Sequence, residues 1–170
     1  MPIRPIRLFP DDILSSPCRM VEDFGPRTRA LVQDLWDTLY HSPGVGLAAP
    51  QIGILLRLSV IDCSRKKNSS LPQRQASLGP VVLINPVLLE SKGIQIPREG
   101  CLSVPDYLAN VRRLDELTIQ YQDLDGKTRL LSLKGFEALA VQHEMDHLEG
   151  KLFLDRVANL KTDLFRRKQY

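Results

Sequence analysis

Two segments of the chain have apolar residues at the spacing of an amphipathic helix. The first begins after Gly25-Pro26, repeats every three or four positions, and stops at Ser42-Pro43-Gly44. The second ends before Gly150, a residue type favoured just beyond a helix C-terminus. Its shared face consists of Phe136, Leu139, Ala140, His143 and His147. These patterns predict two helices, separated by a long central region.

Strands are predicted in that central region. Apolar and polar residues alternate over residues 56–60 and 117–121, and residues 81–84 form a short apolar run. Asp125-Gly126 is a typical hairpin turn, which joins the 117–121 strand to another over residues 128–133. The pairing of neighbouring strands is therefore expected to be mainly antiparallel.

The remaining segments are predicted to be a loop and a last helix. Residues 64–80 are polar and form one long loop, in which the basic run 65–67 is expected to be solvated. A third helix is predicted to begin near Asp155 or Thr162, with the basic residues 166–168 in its last turn. Its inward face would consist of Leu160, Leu164 and Phe165.

Helices packed against mainly antiparallel strands indicate an α+β fold. At roughly 100–200 residues per domain, one compact domain is expected, spanning residues 1–170. The chain is 43% hydrophobic and 25% charged, which is typical of a globular protein and excludes a disordered one. With 23 basic and 20 acidic residues the net charge is +3, too small to indicate a nucleic-acid partner, so no DNA binding is expected.

The composition also bears on location. No apolar stretch approaches the roughly 18 residues that would span a bilayer, so no membrane association is expected. The N-terminal segment lacks the apolar region of a secretory signal, and a cytoplasmic location is expected. The three cysteines are widely spaced and odd in number, unlike a disulfide framework or a zinc ribbon.

Two of the three histidines lie in an HExxH sequence on the second predicted helix. His143 and His147 are four residues apart, so they share one face at about 6 Å and can reach one metal ion. Glu144 borders that face, where a general base acting on water would lie. Incidental histidines on an exposed turn are the alternative, which is disfavoured because the motif lies on the apolar face of its helix.

A catalytic metal site usually has three protein ligands, so a third is expected from elsewhere. No histidine follows His147, and the carboxylates after it lack the spacing of known ligand sets. Cys101 is the better candidate, since it follows Gly100, which allows close backbone approach. The alternative for an isolated cysteine is a small buried hydrophobic residue.

A glycine-rich segment, GVGLAAPQ at residues 44–51, is the third feature whose groups could take part in binding or catalysis. It lacks the Lys and Ser or Thr of a phosphate-binding loop, which argues against nucleotide binding. Its backbone groups could pair with an extended peptide, and the Gln51 amide is a neutral donor for an oxyanion.

GVGLAAPQ (44–51), EGCLS (99–103) and QHEMDHLEG (142–150), in this order, resemble the three signature motifs of peptide deformylases. The similarity extends from IRLFPDDIL (6–14) to EGKLFLDRV (149–157). The resemblance is to the bacterial type 1 branch and implies a compact α+β fold, with short antiparallel sheets around the HExxH helix and a C-terminal helix. It also implies hydrolytic removal of the N-formyl group from formyl-methionyl nascent peptides, releasing formate.

The resemblance implies a role for each site residue. The metal ligands would be Cys101, His143 and His147. Glu144 would be the general acid and base, and the Gln51 amide and the Leu102 N–H would stabilise the oxyanion. The residues bordering the substrate would be Val45, Gly46, Glu99 and Gly100, and those lining an apolar methionine pocket would be Phe136, Leu139 and Ala140.

Further expectations concern neighbouring residues. Glu99 is expected to pair with Arg113, the alternative being two solvated surface charges. Arg98 and Leu108 depart from the family pattern, in which an acid and an arginine occupy these positions, so they bear on contacts at the substrate rim.

The resemblance implies Fe(II) as the cellular metal, with Zn, Ni or Co able to replace it in preparations, since a Cys/His/His set suits several of these ions. Docking to the ribosome through the basic C-terminal helix is a further hypothesis. Two alternatives are a zincin-like metallopeptidase and a non-catalytic, ribosome-associated metal domain whose site is closed by a fourth ligand, such as Cys18 or Cys63.

Overall fold

The computed structural model describes residues 3–66 and 78–168, so most of the predicted 64–80 loop lies outside the described residues. The described residues form three α-helices: α1 (Pro26–Tyr40), α2 (Phe136–Leu148) and α3 (Leu160–Asp163). The first two confirm the predicted helices. Pro26 occupies the first turn of α1, where its missing N–H costs no hydrogen bond. Gly150, with φ +70°, follows the end of α2 in the left-handed conformation that terminates many helices.

Within the described part of the chain, eight strands form two antiparallel sheets. In chain order they are β1 (Gly46–Ala48), β2 (Leu58–Ile61), β3 (Val81–Gln95), β4 (Arg98–Cys101), β5 (Val104–Asn110), β6 (Arg113–Gln122), β7 (Thr128–Lys134) and β8 (Leu164–Arg166). The larger sheet has the order β1-β2-β3-β6-β7, and the smaller one β4-β5-β8. The α+β class and the mainly antiparallel pairing are therefore confirmed.

The structure also has strands that the pattern did not indicate. β3 continues to Gln95, well beyond the predicted 81–84 run. Beyond Ile84 the strand is irregular and, from Val87, largely exposed, with register shifts after Ile84 and after Leu88 and a positive φ of 51° at Asn85. β4 and β5 were missed because β4 is short and carries a glycine and a cysteine, while β5 includes a proline, which disfavours a strand prediction.

The predicted C-terminal helix is present only as the single turn of α3. The prediction that it continues through residues 166–168 is wrong, because Leu164–Arg166 form β8 and pair with β5 in register Leu108↔Phe165. The open edge of β5 offers backbone hydrogen bonds that a helix would leave unused. Leu160, predicted to face inward, is 62% exposed.

Three apolar clusters form the core and determine where α2 lies. One lies between α1 and strands β1 and β2, and a second lies between α2 and the larger sheet. The third lies beneath the smaller sheet and contains Leu14, Cys101, Val104, Ala109, Val111, Leu152 and Phe153. α2 also contacts β1 and the 3-10 turn Ala49–Ile52. Its histidine face reaches the smaller sheet, since His147 Nε2 lies 3.4 Å from Sγ of Cys101 in β4.

Within residues 3–66 and 78–168, no helix has both the length and the apolar character needed to cross a membrane.

Candidate metal centre

The structure brings together the three predicted ligand residues, Cys101, His143 and His147. Cys101 ends β4, and both histidines project from α2. One potential ligand atom from each lies within 4.8 Å of the other two, and Cys101 Sγ is 3.4 Å from His147 Nε2. The imidazole rings meet edge to face, with centroids 5.1 Å apart. Cys101 and His147 are buried, so the group lies inside the fold.

This group fits a divalent cation by its chemistry. One thiolate and two imidazoles suit zinc, iron, nickel or cobalt. Two buried polar atoms beside it, Glu144 Oε2 and His147 Nδ1, have no hydrogen-bond partner among the described residues. Such unsatisfied atoms are rare in protein interiors and are expected where water or another group binds. The Cys101/His143/His147 group could therefore hold a metal ion.

The charges of these side chains favour the thiolate of Cys101, whereas His143 would have to lose its additional proton to bind a metal. Burial alone would raise the pKa of the Cys101 thiol, but the neighbouring His147 and His143 imidazoles outweigh it and hold that pKa well below its usual value. Burial opposes the charged form of His143, yet the Cys101 sulfur and Glu99 raise the His143 pKa. The thiolate is the form of cysteine that coordinates metals.

Glu144 lies beside the three ligand residues with its carboxylate against Gly46. A Cβ at Gly46 would come within 2.8 Å of Glu144 Cδ, so only glycine allows this approach. Burial raises the pKa of Glu144, and the two histidines lower it in part. A carboxylate with a raised pKa and one unpartnered oxygen is well suited to exchange a proton with water.

Gln51 is held with its amide toward the sulfur of Cys101. Its Oε1 accepts a hydrogen bond from the Ala48 N–H at 2.9 Å. Its Nε2 donates to Ser103 Oγ at 3.1 Å and lies 3.6 Å from Cys101 Sγ. The first bond fixes which end of the amide faces the site, so Gln51 presents N–H donors there. Leu102 follows Cys101 and lines the same cleft.

His143 is oriented by a buried carboxylate. Glu99 Oε2 lies 3.0 Å from His143 Nδ1, and both Glu99 oxygens accept hydrogen bonds from Arg113, at 2.5 and 2.9 Å. The predicted Glu99–Arg113 pair is present, and the alternative of two solvated charges is wrong, since both side chains are 2% exposed. A partner on the second ring nitrogen is what fixes a histidine ligand in place.

The ion pair continues into a network that the sequence did not reveal. Arg113 Nη1 donates to Asp146 Oδ2 at 2.6 Å, and Arg156 donates to both Asp146 oxygens, at 2.5 and 2.6 Å. Gln142 joins α2 to β6 by donating to the Leu114 carbonyl at 2.9 Å and accepting from its N–H at 3.0 Å. The motif spacing around the histidines gives no signal for these partners, which come from separate elements.

The glycine-rich segment is anchored by Arg65. Its guanidinium donates to the carbonyl oxygens of Leu39, Ser42 and Gly44 at 2.7–2.9 Å. The expectation that the basic run is merely solvated is therefore wrong for Arg65. Its contacts fix the chain that leads from α1 to Gly46, so they help to position the wall that faces Glu144.

A cleft of about 680 Å³ opens onto the ligand group. Its lining includes nearly all the predicted site residues: Val45, Gly46, Gln51, Glu99, Gly100, Cys101, Leu102, Phe136, Leu139, Ala140, His143 and Glu144. His147 is fully buried behind them. The cleft also contains Lys66, Arg167 and Lys168, which were not predicted as site residues, together with Arg98. Leu108 packs against Gly100 at the edge.

The alternative of a fourth protein ligand from another cysteine has no geometric support. Among the residues that the structure describes, the metal-ligating group includes neither Cys18 nor Cys63. Cys63 is buried in the cluster between α2 and the larger sheet, and Cys18 precedes α1.

Comparison with known proteins agrees with this arrangement. The family described as polypeptide deformylase matches residues 3–163. A peptide deformylase of Acidobacterium capsulatum is 44% identical over 168 residues, covering 99% of this chain and 94% of its own length. The peptide deformylase 2 of Xanthomonas campestris is 40% identical over 171 residues, covering 99% and 95%.

Solved structures give the same result. The crystal structure of a peptide deformylase from Legionella pneumophila is 40% identical with a TM-score of 0.84, covering 94% of this chain and 89% of its own. The peptide deformylase structure from Thermotoga maritima is 34% identical with a TM-score of 0.83, covering 94% and 100%. The extent of these matches, together with the Cys/His/His group, shows that the chain belongs to the polypeptide deformylase family.

Proposed function

We propose that the chain hydrolyses the formamide of N-formyl-methionyl peptides through the residues gathered at the inner end of its cleft. Family membership gives the reaction class, a metal-dependent hydrolysis that releases formate and a free amino terminus. The roles of individual residues are assigned from one observation. Cys101, His143 and His147 lie together with the Glu144 carboxylate beside an apolar cleft.

Cys101, His143 and His147 would hold one divalent cation. When bound, the cation supplies Lewis-acid chemistry and lowers the pKa of a water molecule toward neutrality. We propose Fe(II) as the cellular ion, with Zn, Ni or Co as substitutes in preparations, because the thiolate and imidazole donors accept all of them.

Glu144 would transfer the proton. Its carboxylate takes a proton from water as the oxygen attacks the formyl carbon, and it returns that proton to the nitrogen as the carbon–nitrogen bond breaks. Its burial, its raised pKa and its unpartnered Oε2 support this role. A raised pKa allows one group to act first as base and then as acid.

Gln51 and the Leu102 backbone N–H would stabilise the oxyanion. The bond from Ala48 to Gln51 Oε1 leaves the amide N–H groups facing the ligand group. Because such a donor is already oriented in a buried site, it need not reorient when negative charge develops on the formyl oxygen.

The methionine side chain would enter the apolar part of the cleft, formed by Val45, Phe136, Leu139 and Ala140. Gly46, Glu99 and Gly100 would border the peptide backbone. Glu99 already engages Arg113 and His143, so its contribution would be to position rather than to bind the substrate.

The direct test is formate release from formyl-Met-Ala-Ser, measured beside the metal content of the same preparation. We expect rapid deformylation and no cleavage of an acetylated peptide with an internal Met-Ala bond. Cleavage of that internal bond without formate release would instead support the zincin-like alternative. A Glu22→Gln variant is a suitable control, because Glu22 is exposed and outside the cleft lining.

We also propose a cytoplasmic location and docking to the ribosome, since nascent formyl-peptides arise there. The exposed Arg166 and Lys168 of the C-terminal segment are the cations available for rRNA phosphates. Co-sedimentation with ribosomes that is unchanged by deletion of residues 166–170 would contradict this docking mode.

A further inference from the structure

The segment that follows β8 forms one wall of the substrate cleft. After the β5–β8 pairing, the Arg167 N–H donates to the Asp106 carbonyl oxygen at 2.8 Å, which keeps the segment beside β5. The Arg167 guanidinium lies against Gly100, where any Cβ would collide with it. Gly100 immediately precedes Cys101, so this positive charge lies close to the ligand group.

The lining of the cleft carries an excess of positive charge. Among the described residues, four cationic side chains line the cleft: Lys66, Arg98, Arg167 and Lys168. Among the described residues that line the cleft, three are acidic. Glu99 is bound to Arg113 and His143, and Glu144 lies at the inner end, which leaves Asp106 to face the four cations.

Two of these cations are held in place by aromatic rings. Lys66 Nζ lies 3.6 Å from the centre of the Phe136 ring, and Arg98 Cζ lies 4.0 Å from that of Phe165. Cation–π contacts of this kind reduce the freedom of long side chains. Two of the four cations are therefore preorganised, which lowers the entropic cost of binding an anion near them.

We propose that this cationic part of the cleft binds a carboxylate of the substrate, with Arg167 as the specificity-determining residue. The carboxylate is that of an Asp or Glu side chain at the second or third residue of the formyl-peptide. An extended peptide advances about 3.3–3.6 Å per residue, so the Cα atoms of these residues lie about 3.5 and 7 Å from that of the methionine. A guanidinium can donate two parallel hydrogen bonds to a carboxylate, which a lysine cannot.

The inference rests on the proposed function and adds a preference among its substrates. The first experiment compares kcat/KM for formyl-Met-Glu-Ala with that for formyl-Met-Gln-Ala, and kcat/KM for formyl-Met-Ala-Glu with that for formyl-Met-Ala-Gln. All peptides carry amidated C-termini. At low ionic strength the Glu peptide is expected to be favoured about fivefold, mainly through KM, as for a partly exposed ion pair. The preference should shrink as salt screens the charges.

Variants of Arg167 assign the preference to this residue. Arg167→Gln should bring the Glu/Gln ratio to about one, and Arg167→Lys should retain part of it. Arg167→Glu should favour a Lys peptide over the Gln peptide. Lys161→Gln is the matched control, since it removes one positive charge from α3 outside the cleft lining and should leave the ratio unchanged.

Several outcomes would overturn the inference. They are equal rates for the Glu and Gln peptides at low salt, a ratio that Arg167→Gln does not change, and a preference seen only with a free C-terminal carboxylate. If Arg167→Gln weakened ribosome co-sedimentation but not the ratio, the anion would be rRNA phosphate instead. Because hydrolysis of the Gln peptide is measured separately, its failure would count against the proposed function itself.

Discussion

At the scale of single residues, Glu144 has the surroundings that its proposed role needs. Its carboxylate packs on Gly46, beside the ligand group but hydrogen-bonded to none of its members among the described contacts. Removing the carboxylate should therefore affect proton transfer far more than metal binding.

We predict that Glu144→Gln retains its metal and loses activity. General acid–base catalysis typically contributes about 100- to 10,000-fold, so kcat should fall by a factor in this range. Metal content by elemental analysis and formate release are measured on the same sample. Near-normal turnover would remove Glu144 from the mechanism, and the Glu22→Gln variant should behave as the parent protein does.

Cys18 provides a pH-dependent prediction outside the site. Burial raises its pKa to about 11, with Arg57 lowering and Glu149 raising it further. The thiol is only partly buried, so its protonation rather than access should limit alkylation. Below the raised pKa the reactive thiolate is a minor species, and its fraction rises with pH until the pKa is passed.

We therefore expect the rate of iodoacetamide labelling at Cys18 to rise about tenfold per pH unit between pH 8 and 10. In urea-unfolded protein, where a thiol has a pKa of about 8.5, the rate should level off within that range. Mass spectrometry of the peptide that contains Cys18 measures the labelling rate in the folded and in the unfolded protein. A plateau near pH 8.5 in the folded protein would contradict the raised pKa.

The sequence could predict the groups that carry chemistry but not their supports. His143, Glu144 and His147 share one helix, so their spacing alone restricts their geometry. Arg113 and Asp146 meet Glu99 only because β4, β6 and α2 converge, and nothing local encodes that convergence. Supports of this kind become visible only when the tertiary structure is known.

At the scale of elements, the Glu99–Arg113–Asp146–Arg156 network joins β4, β6, α2 and the turn Phe153–Arg156. Arg113 is 3% exposed and contacts two carboxylates. Removing one member of a buried pair leaves the opposite charge buried without a partner. The free-energy cost of this is larger than the net stabilisation that the intact pair provides.

Arg113→Gln is accordingly expected to lower the free energy of unfolding by about 3–5 kcal/mol. Urea denaturation of the metal-loaded protein measures this change. Lys134→Gln is the control, since it breaks an exposed pair with Glu116 and should change the stability little. Equal midpoints for the two variants would show that the network does not stabilise the fold.

The elements differ in how far local pattern determines them. α1, α2 and the β6–β7 hairpin follow from periodicity and turn residues, because each shows one face to the core. β8 has the apolar residues Leu164 and Phe165, which also fit a helix. Its conformation is decided by the free edge of β5, a partner more than fifty residues earlier in the chain.

At the scale of the whole molecule, the ligand group lies where the two halves of the core meet. Cys101 belongs to the cluster beneath the smaller sheet, while α2 packs on the larger sheet. A metal held by Cys101, His143 and His147 would therefore join the two sheets through α2.

Removing the metal should reduce the stability of the whole fold. A ligand that binds only the folded state at 1,000 times its Kd contributes about 4 kcal/mol, so chelation is expected to lower Tm by several degrees. Differential scanning calorimetry before and after chelation tests this. Glu144→Gln should show the same decrease, because it keeps all three ligands. An unchanged Tm in both proteins would contradict a bridging metal.

The separation of the ligands along the chain has a consequence during synthesis. Cys101 is made about forty residues before His143, an interval of roughly 2–8 s at about 5–20 residues per second. Until α2 forms, no imidazole lies near the sulfur, so the thiol retains an ordinary pKa and is mostly protonated. The formation of α2 therefore makes the Cys101 sulfur more easily oxidised, and the same folding step completes the site in which a bound cation would protect it.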